Sequence, residues 1–166
     1  MRVLFVIPTL GPGGAERVAT LLANFWSGRH HDVILTTFEL PNSTSFFPLE
    51  KRIAVRELSA PSVHRRLVAR LVTNAVRVSR LRSLLRELRP DIVVSFMTEA
   101  NVVALCACLG LRIPVVISER NQPDRPGLTM VHRIARPLTY PLASAMVVQT
   151  EAIAAWSRAR FRIPVH

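Results

Sequence analysis

The chain has 166 residues, of which 49% are hydrophobic and only 6% aromatic, a composition that excludes a disordered protein and allows one aliphatic core. Its formal net charge is +11, nearly all of it from arginine because Lys51 is the only lysine, and this excess favours anionic partners without choosing among nucleic acid, anionic lipid and phosphorylated ligands. No apolar run approaches the roughly 18 to 20 residues of a membrane-spanning helix, and the first run, which stops at Pro8, is too short for a secretory signal.

The first half of the chain predicts three strands and two helices. Strands are predicted at 3–7, 32–38 and, more weakly, 52–58. Helices are predicted at 15–26 and 64–88. A glycine-rich stretch separates the first strand from the first helix, and Pro90 follows the end of the long helix.

The second half of the chain repeats strand and helix in strict alternation. Strands are predicted at 91–96, 114–118 and 145–149. Helices are predicted at 99–109, 131–140 and 151–160, the last with Thr150 as its N-cap. Short strands alternating with longer helices specify an α/β fold, with a doubly wound, mostly parallel Rossmann-like sheet and helices on both faces.

The cysteine and histidine residues indicate no metal site. Cys106 and Cys108 are two positions apart in a predicted helix, so their side chains leave on different faces and predict neither a disulfide nor a metal site. The five histidines have no metal-ligand spacing. We therefore expect no bound metal and no cofactor.

The glycine-rich loop after the first strand is the first candidate binding element, because ligands of open parallel sheets bind beyond the carboxyl ends of the strands. Gly13 and Gly14 directly precede a helix, whose free N–H groups suit a phosphate or a sugar hydroxyl. The alternative is a glycine turn that merely links strand to helix. A dinucleotide site, with Glu39 as the ribose-binding acid, is disfavoured because Glu16 stands where the fingerprint requires glycine or alanine.

Polar residues also follow the later strands and are predicted to line a cleft. They are Thr98, Glu99, Asn101, Glu119, Arg120, Asn121 and Thr150. Two structural alternatives stay open. Glu119 and Arg120 could form an ion pair that closes their loop, and Glu99 is also a reasonable residue for the first turn of a helix.

The long helix carries an apolar stripe that includes Leu71, Leu81 and Leu85, with arginines largely off it. Such a basic amphipathic helix can lie on an anionic membrane surface, and the candidate membrane-facing residues are Arg66, Arg70 and Arg77. The alternative is an ordinary core helix with a solvated arginine face.

Three segments in this order carry a family resemblance: Gly13-Gly14-Ala15-Glu16-Arg17, the strand 91–96, and 114–121 with Ser118-Glu119-Arg120-Asn121. Together they resemble the N-terminal domain of GT-B glycosyltransferases of family 4, also called group 1. The resemblance covers essentially the whole chain. The Ser-Glu-Arg-Asn subset is similar to bacterial enzymes that build lipid-linked oligosaccharides, capsule or lipopolysaccharide.

The resemblance implies a hexosyltransferase that moves a sugar from a nucleotide diphosphate sugar to a lipid-linked or polysaccharide acceptor, with retention and without a metal. Gly13, Gly14 and Glu16 would face the donor phosphates and the transferred sugar, with Glu119 and Arg120 near that sugar. Residues 1–160 would form the acceptor-side domain and 161–166 the start of an interdomain linker. The donor-binding C-terminal domain is missing from this sequence, so we expect the isolated half to be inactive.

The partners expected on this basis are a nucleotide sugar, a glycan acceptor, the missing C-terminal domain and an anionic membrane surface. The expected location is the cytoplasm, peripheral on the inner face of the cytoplasmic membrane, in synthesis of cell-envelope polysaccharide. The alternatives are a nicotinamide-dependent oxidoreductase domain and a non-catalytic basic module that binds nucleic acid or membrane. No nucleic acid partner is expected, because no helix-turn-helix or aromatic-interleaved basic motif is present.

Overall fold

The computed structural model describes residues 1–40, 44–60, 67–120 and 130–166, with the backbone alone for 67–70 and 130–132. The strands are β1 (Arg2–Val6), β2 (Asp32–Thr37), β3 (Ala54–Glu57), β4 (Ile92–Phe96), β5 (Val115–Glu119) and β6 (Ala145–Val148). The helices are α1 (Gly14–Gly28), α2 (Leu67–Leu88), α3 (Met97–Cys108), α4 (Met130–Thr139) and α5 (Glu151–Arg158), and a 3₁₀ turn, Tyr140–Leu142, follows α4. Each predicted strand and helix is present, although the predicted start of the long helix at residue 64 lies outside the described residues.

The six strands form one sheet in the order β3-β2-β1-β4-β5-β6, and every pairing is parallel. This confirms the predicted doubly wound α/β fold. The chain builds outward from β1 to β3 and then returns to place β4 on the other side of β1. In sheets of this order ligands bind beyond the carboxyl ends of the strands where the direction of winding reverses. The candidate site is therefore expected beyond β1 and β4.

Two apolar cores lie on opposite faces of the sheet, because successive strand side chains point to opposite faces. On one face α1 packs Ala19 and Ala23 into a cluster with Phe5. On the other face α2, α3 and the turn after α4 bury a larger cluster that contains Leu4 and Leu81. Both faces of the central strands are thus covered, which explains the continuous apolar run in the sequence of β1.

Among its described side chains, helix α2 is buried most deeply in its C-terminal half. Leu81 and Leu85 are buried in the core beside α3, and Arg82 donates hydrogen bonds to the last carbonyl groups of α3, at Ala107 and Leu109. Leu71, by contrast, is half exposed. Among the side chains that the structure describes, the predicted apolar stripe is therefore buried at Leu81 and Leu85 and half exposed at Leu71.

The last residues of the chain return to the sheet. Val165 pairs in parallel with Met146 of β6, and the backbone N–H of His166 donates to the Met146 carbonyl at 2.9 Å. Phe161 is buried, with its ring 5.4 Å from that of Tyr140. Within the segment 161–166, which was predicted to begin an interdomain linker, Val165 and His166 thus pair with the edge strand of the sheet. Among the helices of the described ranges, none is long and apolar enough to cross a membrane.

Candidate functional site

At the carboxyl edge of the sheet, β1 and β4 are neighbours whose chains leave toward opposite faces, the arrangement that creates a ligand-binding crevice in open parallel sheets. After β1 the chain enters α1 on one face, and after β4 it enters α3 on the other. Strand β4 passes into α3 without a loop, and Met97 at this junction has a φ of 72°. A non-glycine residue in this left-handed region is uncommon and costs free energy, so the surrounding packing holds the turn in place.

The loop after β1 is held by hydrogen bonds to Glu39, which lies just after β2. The carboxylate of Glu39 accepts a hydrogen bond from the Thr9 hydroxyl at 2.6 Å and another from the backbone N–H of Leu10 at 2.9 Å. The Thr9 hydroxyl oxygen in turn accepts from the backbone N–H of Gly11 at 3.0 Å. In the disfavoured dinucleotide alternative Glu39 would bind the ribose, but its two bonds to the loop give it a structural role.

Gly13 is the N-cap of α1 and makes room for a carboxylate. A Cβ atom on Gly13 would lie 2.0 Å from Oε2 of Glu16, whose side chain folds back over the start of the helix. A Cβ atom on Gly14 would meet nothing within 4 Å. The two glycines therefore differ: a side chain at Gly13 would displace the flexible end of Glu16, whereas one at Gly14 would meet nothing.

Glu119, at the end of β5, lies inside the protein at the centre of a polar network. It is 0% exposed and accepts hydrogen bonds from the Tyr140 hydroxyl at 2.5 Å and from the Thr98 hydroxyl at 3.0 Å. The buried Arg136 guanidinium lies 3.8 Å from the same carboxylate and also donates to Thr98 at 3.3 Å. Burial, followed by the neighbouring Glu119 charge, raises the pKa of Tyr140 well above its usual range.

Asn101 extends this network to the neighbouring strand. Its side-chain amide donates to the Tyr140 hydroxyl and to the Ser118 carbonyl, each at 3.3 Å, and its oxygen accepts from Ser95 at 2.7 Å. Thr98, Asn101 and Glu119 were predicted to line a cleft, but the structure places all three inside, because α3 and α4 close over the ends of β4 and β5. These three buried residues hold the ends of β4 and β5 in place below the carboxyl edge of the sheet.

The sequence did not indicate Arg136 or Tyr140 as part of this network. Both lie on or beside an amphipathic helix, α4, in which the buried side is the polar one: Arg136 and Thr139 are buried, whereas Ile134 and Leu138 are exposed. The available signals were Pro137 within the helix and a lone tyrosine in a chain poor in aromatic residues. Neither signal specifies Glu119 as the partner.

Arg120 is the cation that the structure presents at the crevice. It lies on the α1 face of the sheet, half-buried, with its guanidinium 5.7 Å from the centre of the Phe96 ring and its Nε donating to Ser118 at 3.1 Å. Within the described part of the chain no carboxylate pairs with it. The alternative of an ion pair between Glu119 and Arg120 is thus excluded, since the two side chains point to opposite faces of the sheet. Burial lowers the pKa of Arg120.

Glu99 and Arg77 form an ion pair that joins α3 to α2. The Arg77 guanidinium also lies 4.4 Å from the centre of the Phe38 ring, and the side chain is largely covered. Arg77 was predicted to face a membrane, whereas in the structure its side chain is largely covered and pairs with Glu99. Of the other two candidates, Arg66 lies outside the described residues and Arg70 is described by its backbone alone.

The remaining predicted residues have simple positions. Thr150 is exposed and caps α5, accepting a hydrogen bond from the backbone N–H of Ile153 at 3.3 Å. Asn121 lies outside the described residues. Among the residues that the structure describes, no group of three or more histidine, cysteine, aspartate or glutamate side chains could hold a metal ion.

Comparison with known proteins adds a family and a fold. Residues 12–166 match the sequence pattern of Glycosyltransferase Family 4. A Campylobacter jejuni protein, GalNAc-α-(1→4)-GalNAc-α-(1→3)-diNAcBac-PP-undecaprenol α-1,4-N-acetyl-D-galactosaminyltransferase, is 30% identical over 150 residues, which are 89% of this chain and 40% of that protein. The chain therefore spans about two fifths of the length of this relative.

Two solved structures show the same fold at low sequence identity. Sucrose-phosphate synthase from Thermosynechococcus elongatus superimposes with a TM-score of 0.78 at 10% identity, over 100% of this chain and 47% of that one. The HepE protein of Anabaena, solved in complex with UDP, superimposes with a TM-score of 0.68 at 21% identity, over 99% of this chain and 43% of that one. These likenesses confirm the predicted fold, the N-terminal half of GT-B.

Proposed function

Because the chain belongs to Glycosyltransferase Family 4, we propose that it forms the acceptor-side half of an enzyme that transfers a sugar from a nucleotide diphosphate sugar to a glycan acceptor. The acceptor proposed is a lipid-linked oligosaccharide, since the Campylobacter jejuni relative is named for one on undecaprenol diphosphate. We further propose a retaining hexosyl transfer without a metal cofactor, in the synthesis of cell-envelope polysaccharide.

The observation that carries this proposal is the position of Arg120. A half-buried guanidinium without a carboxylate partner in the described residues stands at the carboxyl edge, on the same side of the sheet as α1. A cation left without a carboxylate at such an edge favours an anionic ligand, and guanidinium groups suit the oxygen atoms of phosphates. The diphosphate of a sugar donor has this chemistry, and so has the diphosphate of a lipid-linked acceptor.

The test is a chimera in which this chain replaces the matched part of the Campylobacter jejuni relative. We expect the chimera to transfer radiolabelled sugar from its nucleotide diphosphate donor onto lipid-linked glycan. Arg120→Ala should lower the rate about 10- to 100-fold, since a hydrogen bond to a charged group contributes about 1.5 to 3 kcal/mol. Thr150→Ala, which alters only the cap of α5, should leave the transfer rate nearly unchanged.

A second measurement covers the case in which the chimera does not fold. The chain alone should bind fluorescent lipid-linked oligosaccharide in detergent, and Arg120→Ala should weaken this binding. A folded chimera that hydrolyses the donor but never labels the glycan, together with no binding by the chain alone, would contradict the proposed acceptor.

The donor itself should bind weakly to this chain, since we propose that most of the nucleotide contacts lie in the part of the enzyme that the chain does not span. Calorimetric titration with UDP-sugars should give a Kd no tighter than about 1 mM, equivalent to about 4 kcal/mol. Micromolar binding would place the nucleotide site in this half.

We also propose that the protein contacts an anionic membrane from its cytoplasmic face, where a lipid-linked acceptor is presented. The contact surface proposed is the α4 patch, formed by Ile134, Leu138 and Leu142, all three exposed. Arg133 is exposed next to it, and the net charge of +11 favours anionic lipid. We propose the α4 patch in place of the arginine face of α2, because Arg77 of that face is largely covered and pairs with Glu99.

Vesicle co-sedimentation tests this contact. We expect binding to anionic vesicles, little binding to neutral ones, and weakening as salt shortens the Debye length from about 10 Å at 0.1 M to about 3 Å at 1 M. The double variant Ile134→Ser, Leu138→Ser should lose most of the binding. The matched control is Leu21→Ser, Phe25→Ser on the exposed face of α1. If only the control variant lost vesicle binding, the membrane contact would lie on α1 and not on the α4 patch.

A further inference from the structure

Helix α1 buries small side chains and turns large apolar ones outward. On the side toward the sheet, Ala19, Ala23 and Ser27 are buried. On the other side, Leu21 is 58% exposed and Phe25 is 50% exposed. A helix that only had to pack on the sheet would have its large apolar side chains on the inner side, because burying such side chains is what stabilises a fold. The outward side of α1 therefore indicates a second contact.

The outward side chains of α1 form one surface, since they follow one another at helical spacing. We call it the α1 patch, and its residues, all exposed, are Arg17, Leu21, Leu22, Phe25 and Arg29. An open depression of about 670 Å³ lies within it, lined by residues that include Leu22, Phe25 and Gly28. Gly28 has no side chain to fill this space, and a Cβ atom there would meet nothing within 4 Å. The depression can therefore receive a side chain from another molecule.

Arginines stand at both ends of the α1 patch. Arg17 and Arg29 are about 18 Å apart along the helix, at a rise of 1.5 Å per residue. The Arg29 guanidinium lies 4.0 Å from the centre of the Phe25 ring, so a cation is held at the rim of the apolar surface. The only acid of α1 itself is Glu16, which is buried. The patch is thus complementary to a segment that is apolar in the middle and acidic at both ends.

We propose that the α1 patch binds an acidic amphipathic helix of a partner protein. Such a helix has apolar side chains along one side, which would cover Leu21 and Phe25, and carboxylates that reach the two arginines after about three turns. One of its apolar side chains enters the depression beside Phe25. An anchor of this kind, desolvated at the centre of a contact, contributes most of the binding energy.

Two other occupants fit the α1 patch less well. A second copy of this chain would bring arginine to arginine whichever way the two patches were paired, and two chains of net charge +11 repel each other. An anionic membrane matches the arginines, but we have proposed the α4 patch for that contact. Because α1 and α4 pack on opposite faces of the sheet, the two patches cannot lie on one flat bilayer.

The experiment is fluorescence anisotropy on the 166-residue chain with three labelled synthetic peptides of about 16 residues, a length of about 24 Å as a helix. The first has leucine along one side of the helix and glutamate elsewhere. The second has lysine in place of every glutamate, and the third is the first with a central proline. The first should bind, and the other two should bind at least about tenfold more weakly. Since the proline peptide keeps the negative charge, its weaker binding would separate helix recognition from general attraction to a basic protein.

Two double variants locate the contact. Leu21→Ser, Phe25→Ser should raise the Kd of the acidic peptide at least about tenfold, because it removes the apolar centre of the patch. Arg17→Glu, Arg29→Glu should weaken binding of the acidic peptide and allow the lysine peptide to bind in its place. This gain of binding cannot come from a variant that has merely unfolded.

The matched control is Ile134→Ser, Leu138→Ser in the α4 patch, which should leave every peptide Kd unchanged. No binding of the acidic peptide by the parent would overturn the inference, and so would equal binding by the parent and by Leu21→Ser, Phe25→Ser. Equal binding of the acidic and proline peptides would overturn it as well. A parent dimer that Leu21→Ser, Phe25→Ser abolishes in sedimentation would assign the α1 patch to a second copy, and vesicle binding lost only in that variant would assign it to a membrane.

Discussion

Tyr140 is the single tyrosine of the chain, and it reports on the buried network at the end of β5. Its hydroxyl donates to Glu119 and accepts from Asn101, so both sides of the oxygen are used. The buried Glu119 carboxylate would be unstable without the hydroxyl donors of Tyr140 and Thr98 and the nearby Arg136 guanidinium, because a buried charge needs hydrogen bonds or a counter-charge. The network therefore fixes the strand end from which Arg120 points toward the crevice.

We expect Tyr140 to resist ionisation until the protein unfolds. Its pKa is raised in the fold by burial and by the Glu119 charge, above the ordinary value of about 10. The protonated phenol thus contributes stability that is complete below about pH 10 and is lost as pH rises further, because the unfolded chain ionises first. Ultraviolet titration near pH 10.5 should show no tyrosinate in the native protein and about three quarters of the tyrosine ionised in urea. A native titration midpoint near pH 10 would contradict the buried hydrogen bond.

Cys108 should be inert toward alkylation in the folded protein. Burial raises the pKa of its thiol to about 12, so almost none of the reactive thiolate exists at pH 8. Mass spectrometry after iodoacetamide treatment at pH 8 should find Cys108 unmodified, and modified when the same reaction is run in urea. Rapid native labelling of Cys108 would show that α3 opens locally.

At the scale of the elements, the strands were easier to predict than the packing of the helices. The apolar runs of β1, β4 and β5 follow directly from burial on both faces, and their ends agree with the prediction within a few residues. The outward apolar side of α4 could not be predicted, because it depends on Arg136 meeting a carboxylate from a distant strand. The hydrophobic periodicity of a sequence shows that a helix has an apolar and a polar side, but it does not show which of the two is buried in the fold.

The C-terminus of α2 offers a test of backbone strain. Arg89 follows the helix with a φ of 48°, and its N–H donates to the Leu85 carbonyl at 2.9 Å, the arrangement that favours glycine. Arg89→Gly should therefore stabilise the protein by about 1 kcal/mol. The control Arg80→Gly, at an exposed position inside the same helix, should destabilise it by about 1 kcal/mol. Urea denaturation measures both, and the same sign for the two changes would refute the explanation.

At the scale of the whole molecule, the order of elements was sufficient to predict the sheet, and the crevice followed from the sheet. The functions of individual edge residues were less predictable. Glu119 and Arg120 are adjacent in sequence, yet one lies inside and the other at the crevice, because neighbours in a strand point to opposite faces. The position of the Glu16 side chain over Gly13 depends on the backbone path of the preceding loop, for which the sequence alone gives no measure.

We expect the chain to unfold as one cooperative unit. Both cores draw side chains from β1, β2 and β4, and the C-terminal residues pair with β6, so few parts can separate without exposing the core. Circular dichroism and tryptophan fluorescence should give coincident sigmoidal thermal transitions. Two transitions, or a featureless melt, would mean that the α2–α4 face or the α1 face requires a further domain to fold.

The central position of β1 has a consequence for synthesis on the ribosome. Strands β1, β2 and β3 emerge first and can pair with one another, but the other edge of β1 has to wait for β4, whose last residue is Phe96. At about 5 to 20 residues per second, the interval between Glu57 and Phe96 lasts about 2 to 8 s. During that time one of the most apolar strands of the chain has a free edge, the kind of surface on which nascent chains pair wrongly. A chaperone that holds the nascent chain would be needed most in this interval, and codon choice between residues 57 and 96 would set its length.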